Sequence, residues 1–199
     1  VLMNIGTLAA RTTTAAASLG LPPDVPVILA GNDQTAGAFG AGIENQQAAL
    51  ITLGTAQVVY ACRPGLPDPV PGMIRGPYPQ GQHYQLAADA YGAATINWVC
   101  SVLPACETPQ ALDRLASSAA PDCHGVCFLA DGPNGTGHWM GTGNPQATTA
   151  DQALAVFLCL ADRLADMLAR FSPRPDRALV AGGGRHSDIW MDCLGHRLG

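Results

Sequence analysis

The chain contains no lysine: ten arginines carry all of its side-chain positive charge, against fifteen acidic residues, for a formal net charge of −5. Without clustered Lys and Arg, nothing rewards the release of counterions from a nucleic acid, so no nucleic-acid partner is expected. Charge of either sign is scarce at 13%, while 48% of residues are apolar, which excludes a disordered chain in favour of a folded one. No apolar run reaches the roughly 18–20 residues that cross a bilayer, so no membrane role is expected. The seven cysteines (Cys62, Cys100, Cys106, Cys123, Cys127, Cys159, Cys193) are odd in number and lie mostly within apolar segments. That placement predicts reduced, core-packed thiols in a cytoplasmic protein rather than a disulfide framework.

What is present reads as strands alternating with helices. Residues 2–19 are Ala- and Thr-rich and predict a helix closed by Gly20. Residues 25–30 predict a buried strand that turns at Gly31-Asn32 into Asp33. Two more strands follow, 48–53 and 57–61, joined by Gly54-Thr55. The Pro- and Gly-rich stretch 64–81 leaves room only for short edge strands, and 83–88 alternates weakly as a strand. Helices are expected over 91–103 and, opened by Thr108 with Pro at its first position, over 109–119. A strand at 125–130 and a Gly-dense loop precede the longest helix, 151–171, capped by Thr148 or Thr149. A buried strand at 177–181, a turn at Gly182-Gly183-Gly184 and a helix from Ser187 complete an α/β chain. It opens at Val1 without an initiator Met and stops at Gly199 just after a helix, so a piece of a longer protein is expected.

The chemistry sits at strand ends. Asp33 follows one strand, where it serves as a helix N-cap, a turn former or a catalytic acid. Gly54-Thr55 and Gly182-Gly184 follow two others, and glycine there lets backbone N–H groups approach an anion or nucleotide closely. A phosphate-transferring site needs both parts, a base for the attacking hydroxyl and N–H groups against the phosphates. Other groups read more plainly. Cys123-His124 with Cys127 lacks a second pair of ligands for zinc, Trp98 and Trp190 read as core, and Asp89 reads as an N-cap. His138-Trp139 reads as an ordinary surface loop, and Arg163 and Arg170 as a solvated helix face.

Ile5-Gly6-Thr7-Leu8, Leu19-Gly20-Leu21-Pro22, Pro26 to Gln34, Gly40-Ala41-Gly42 and Leu53-Gly54-Thr55-Ala56 occur in this order. Together with Gly182-Gly183-Gly184-Arg185-His186-Ser187 they resemble the FGGY family of carbohydrate kinases over essentially the whole chain. The resemblance implies an actin-like ATPase (ribonuclease H-like) fold, a mixed sheet flanked by helices, with nucleotide and sugar in a cleft between two domains. Residues 1–46 then end a sugar-binding first domain, and 47–199 form most of a nucleotide-binding second one.

On the same resemblance, Asp33 matches the catalytic base, Gly54 and Thr55 the loop on the ATP phosphates, and Gly182, Gly183 and Gly184 the turn against the nucleotide. It implies transfer of the γ-phosphoryl group of ATP, with Mg²⁺, to a hydroxyl of a small ketose or polyol, a pentulose such as xylulose being favoured. It carries no metal ligand onto these residues, and a homodimer is compatible with it. The alternative is an actin-like nucleotide-binding sensor or assembly component that has lost catalysis; a dinucleotide-binding oxidoreductase lacks the acid expected ~20 residues beyond the glycines. Three positions depart from the family's pattern: Ala56 replaces a Ser, Asp131 to His138 replace a Gly-Glu-Arg-x-Pro motif, and Cys159-Leu160 replace a Glu. The Asp-x-Gly-Thr phosphate loop lies outside these residues, so this chain alone is not expected to phosphorylate a sugar.

Overall fold

The computed structural model describes residues 5–199. A five-stranded mixed sheet forms its centre, built from β3 (Ala48–Leu53), β4 (Gln57–Arg63), β5 (Met73–Pro77), β6 (His83–Asp89) and β9 (Arg177–Ala181). The strand order is β5-β6-β4-β3-β9; β9 runs parallel to β3 and every other pairing is antiparallel. Alternating side chains divide its two faces. Ala49, Ile51, Leu53, Val59, Ala61 and Ala87 point into the larger core, whereas Leu50, Tyr60, Cys62 and Leu86 point into the smaller one.

The helices α2 (Ala93–Val102), α3 (Pro109–Ala116), α4 (Thr149–Ala169) and α5 (Asp188–Leu198) cover the larger face. Helix α4 is the central support: Thr148 caps it in a reciprocal box with Asp151, and twelve of its residues are buried. Thr108 caps α3 as expected, accepting a hydrogen bond from the Ala111 N–H at 3.1 Å. On the opposite face, α1 (Asp33–Gly40) and the following turn bury Ala38 and Ile43 against the sheet. Thr35 and Tyr60 join the two through a buried 2.7 Å hydroxyl–hydroxyl hydrogen bond. Two small ribbons complete the structure, β1 (Leu8–Arg11) with β2 (Pro26–Ile28), and β7 (Cys127–Leu129) with β8 (His138–Met140).

Several expectations change. The helix expected over 2–19 begins outside the described residues, and its remainder is β1 followed by a 3-10 helix, Thr14–Leu19. Cross-strand pairing explains the difference: Thr12 accepts from the Val25 N–H at 2.8 Å and donates to the Pro22 carbonyl at 2.7 Å, drawing the segment to β2. Gly20 does end that helix in a left-handed conformation, with φ 73°. The strand at 25–30 is short and solvent-facing rather than buried, Val27 and Ile28 being 45% and 50% exposed. Strand β9 is likewise an edge with Leu179 exposed, because only β3 pairs with it among the described residues.

Candidate nucleotide site

Two strands that run parallel leave a sheet at the same edge. Thr52 of β3 pairs with Ala181 of β9, so Gly54-Thr55 and Gly182-Gly184 emerge side by side although they are far apart in sequence. The contact is close. Gly182 has φ 89°, and a Cβ there would lie 2.5 Å from the Leu53 carbonyl oxygen. A Cβ on Gly184 would lie 2.7 Å from that of Leu53 and 2.8 Å from the Trp190 ring, whereas Gly183 faces open space.

Between the corners lies a cavity of about 390 Å³. Gly54 and Thr55 form one wall and Gly183 and Gly184 another, with Phe157 and Trp190 beneath. Gly182 sets the turn from outside the cavity lining. The Gly54-Thr55 turn is itself pinned. The first amides of α2 donate to it, Ala93 to the Gly54 carbonyl at 2.8 Å and Ala94 to the Thr55 carbonyl at 3.1 Å. Gly92 permits this approach, since a Cβ there would meet the Gly54 oxygen at 2.8 Å. Sequence reasoning missed Gly92, Asn97, Gln110 and Asp113; a glycine just before an apolar helix was the only local signal, and it fits many turns.

Asp33 is placed differently. Asn32 takes the N-cap, accepting from the Thr35 N–H at 2.7 Å, so Asp33 is the first residue of α1 rather than its cap. Its side chain is exposed and accepts from the Gln34 N–H at 2.8 Å. It does not line the cavity. Thr52 donates to Gln34 at 3.3 Å, which ties the start of α1 to the end of β3, two residues before Gly54.

The remaining candidates have structural roles. Asp89 is no N-cap: it ends β6 and binds Arg163 Nε at 2.7 Å, while the guanidinium lies 4.1 Å from the centre of the Tyr91 ring. Arg163 is thus a half-buried brace, and Arg170 bonds the Pro71 carbonyl; neither belongs to a purely solvated face. The 131–138 loop buttresses α2, with Gly135 against Ala94 and Thr95 and the Gly132 carbonyl accepting from Tyr91 at 3.1 Å. His138 pairs with Asp131 at 3.2 Å, while Trp139 is half-buried and stacks on Trp98 at 5.7 Å between ring centres. Trp190 is buried as expected.

His124 bonds the buried Asp151 carboxylate at 3.0 Å, and the described residues hold no cluster of three or more metal-ligating side chains. Burial would push the Asp151 carboxyl up, but donors from Thr148, His124 and the Ala120 backbone outweigh it and hold the group well below the usual carboxylate range. The hydrogen bond to Asp151 raises His124 in return.

Likeness to solved sugar kinases identifies this mixed sheet flanked by helices as the actin-like ATPase fold. Among solved structures, xylulose kinase from Rhodospirillum rubrum matches 96% of this chain and 42% of its own with a TM-score of 0.81 and 23% identity. In sequence, the chain is 27% identical over 188 residues to a protein of Escherichia coli strain K12 named xylulose kinase, covering 85% of this chain and 38% of that protein. It is also 27% identical over 203 residues to the same organism's L-fuculokinase, covering 98% and 42%. No protein-family model matches the chain. Its likeness to FGGY-type carbohydrate kinases therefore rests on these relatives, and it spans only about two fifths of the curated relatives' length.

Proposed function

We propose that the protein carrying this chain is an ATP-dependent carbohydrate kinase that phosphorylates a hydroxyl of a small ketose or polyol, with a pentulose such as xylulose the favoured acceptor. The observation that carries this reading is the meeting of Gly54-Thr55 with Gly183-Gly184 across one cavity. Phosphoryl transfer asks a protein mainly for positioning and charge stabilisation, which backbone N–H groups at Thr55, Gly183 and Gly184 would supply, the Gly54 N–H being bonded to the Ala56 carbonyl at 3.1 Å. The carbonyls of Gly54 and Thr55 already accept from α2, which removes two acceptors that would repel phosphate oxygens. Mg²⁺ would arrive with the nucleotide and spread the charge of its phosphates, as hard cations do when bridging phosphate oxygens.

Asp33 is the proposed base, taking the proton of the sugar hydroxyl as it attacks. Its exposure leaves the carboxylate open to a substrate, and the link from Gln34 to Thr52 ties its helix to the strand that leads into Gly54. Residues 1–46 are proposed to end the sugar-binding unit and 47–199 to belong to the nucleotide-binding one. In the full-length protein, ADP release should depend on a ketose or polyol. Asp33→Asn should lower that turnover by ~10²–10⁴-fold, the range for a lost general base, with ATP affinity and melting temperature unchanged. ATP binding without turnover on any sugar would instead favour a nucleotide sensor; absence of ATP binding would sink the reading.

A further inference from the structure

Asp113 has no assigned part in the site, yet α3 carries it to the cavity wall. It is the sole carboxylate among the cavity-lining residues, and with Gln110 it also borders an adjoining pocket of about 260 Å³. One oxygen is occupied: Ser187 donates to Oδ1 at 2.7 Å, while the same hydroxyl accepts from the Trp190 N–H at 3.1 Å. Asp113 thereby holds the first turn of α5, just past the glycines. Among the described residues Oδ2 has no hydrogen-bond partner. Burial pushes the carboxyl above its ordinary range and the negative charge of Asp188 adds to this, partly offset by Ser187.

A carboxylate is a poor neighbour for phosphates, since like charges a few ångströms apart repel. It is a good acceptor for a neutral donor. The apolar part of the cavity lining (Ile96, Pro109, Phe157, Trp190) suits the flat, apolar face of a nucleobase.

We propose that Asp113 reads the nucleoside, its free oxygen accepting a hydrogen bond from a ribose hydroxyl or the exocyclic amino group of the bound nucleotide. This rests on the nucleotide reading of the cavity. Hydrogen bonds to charged groups make the contact worth roughly 10–100-fold in affinity.

The test is equilibrium binding of ATP, 2′-deoxyATP, 3′-deoxyATP and an ATP analogue lacking the 6-amino group to the full-length protein. The wild type should bind one analogue at least about tenfold more weakly than ATP, which identifies the donor. Asp113→Ala, chosen because an Asn amide could still donate to a ribose hydroxyl, removes the acceptor altogether. ATP should then bind as weakly as that analogue, whose own affinity should not change. Ser187→Ala, which removes the hydroxyl that donates to Asp113 and caps α5 but leaves the carboxylate, should keep the discrimination. Equal binding of all four nucleotides by the wild type, or full discrimination retained by Asp113→Ala, overturns the proposal while leaving the kinase reading intact. Failure of the wild type to bind any nucleotide overturns both.

Discussion

The two faces of the central sheet are held by different means. On the cavity face, backbone touches backbone: Gly92 against the Gly54 carbonyl and Gly182 against the Leu53 carbonyl leave no room for a side chain. On the other face, α1 rests on Ala38, Ile43 and the Thr35–Tyr60 hydrogen bond, and the ribbon before it leaves Val27, Ile28 and Leu29 substantially exposed. The comparison separates two requirements of one reaction. Corners that would hold phosphates are rigid within the chain itself, whereas the acid that would take the proton stands on a lightly anchored helix with open surroundings.

Substitutions can break or sharpen this contrast. The largest stability loss is expected from Gly182→Ala, which forces a Cβ onto the Leu53 carbonyl at a positive φ; about 3 kcal/mol is expected, read as a lower denaturant midpoint. Gly183→Ala, one residue on, meets nothing within 4 Å and should keep its melting temperature within the range of neutral surface changes, roughly 0.5 kcal/mol, while weakening ATP binding. Equal destabilisation by both would mean that the corner is not set by the Leu53 contact.

On the α1 face, Thr35→Val leaves the buried Tyr60 hydroxyl without its partner. A loss of about 1–2 kcal/mol is expected, with ATP affinity unchanged because the cavity lies on the opposite side. A matching loss of ATP affinity would show the faces to be coupled.

The smallest effect concerns the anchor of α4. His124 is raised by Asp151, so its contribution is fully present below the unfolded histidine pKa of about 6.5 and is lost as pH rises through the folded value. Asp151 is depressed, so its contribution is present above the unfolded carboxylate pKa of about 3.9 and is lost only as pH falls towards the folded value. His124→Gln should therefore narrow the stability difference between pH 5.5 and 8 seen in thermal melts; an unchanged difference would show that the pair is not linked to folding.

Legibility followed the range of the interaction. Helices α3 and α4 could be placed from Thr108, Thr148 and their apolar periodicity, because caps and amphipathic stripes are local properties. The glycine turns were visible for the same reason. Residues 8–11 misled because Ala favours helix, whereas the Thr12 bonds to Pro22 and Val25 draw on partners ten or more positions away. Asp89 resembled a cap and does accept from the Tyr91 N–H at 3.0 Å, but α2 starts only at Ala93, and Arg163, 74 residues on, binds its other oxygen. Asp113 gave no signal at all: its interest lies in a hydrogen bond to Ser187 across another 74 residues.

Residue order alone marked the glycine-built turns and the capped helices, because backbone freedom and capping are encoded within a few neighbouring positions. Only the folded chain decided that two of those turns share a cavity while Asp33 stands outside its lining, because the parallel register of β3 and β9 belongs to no single segment.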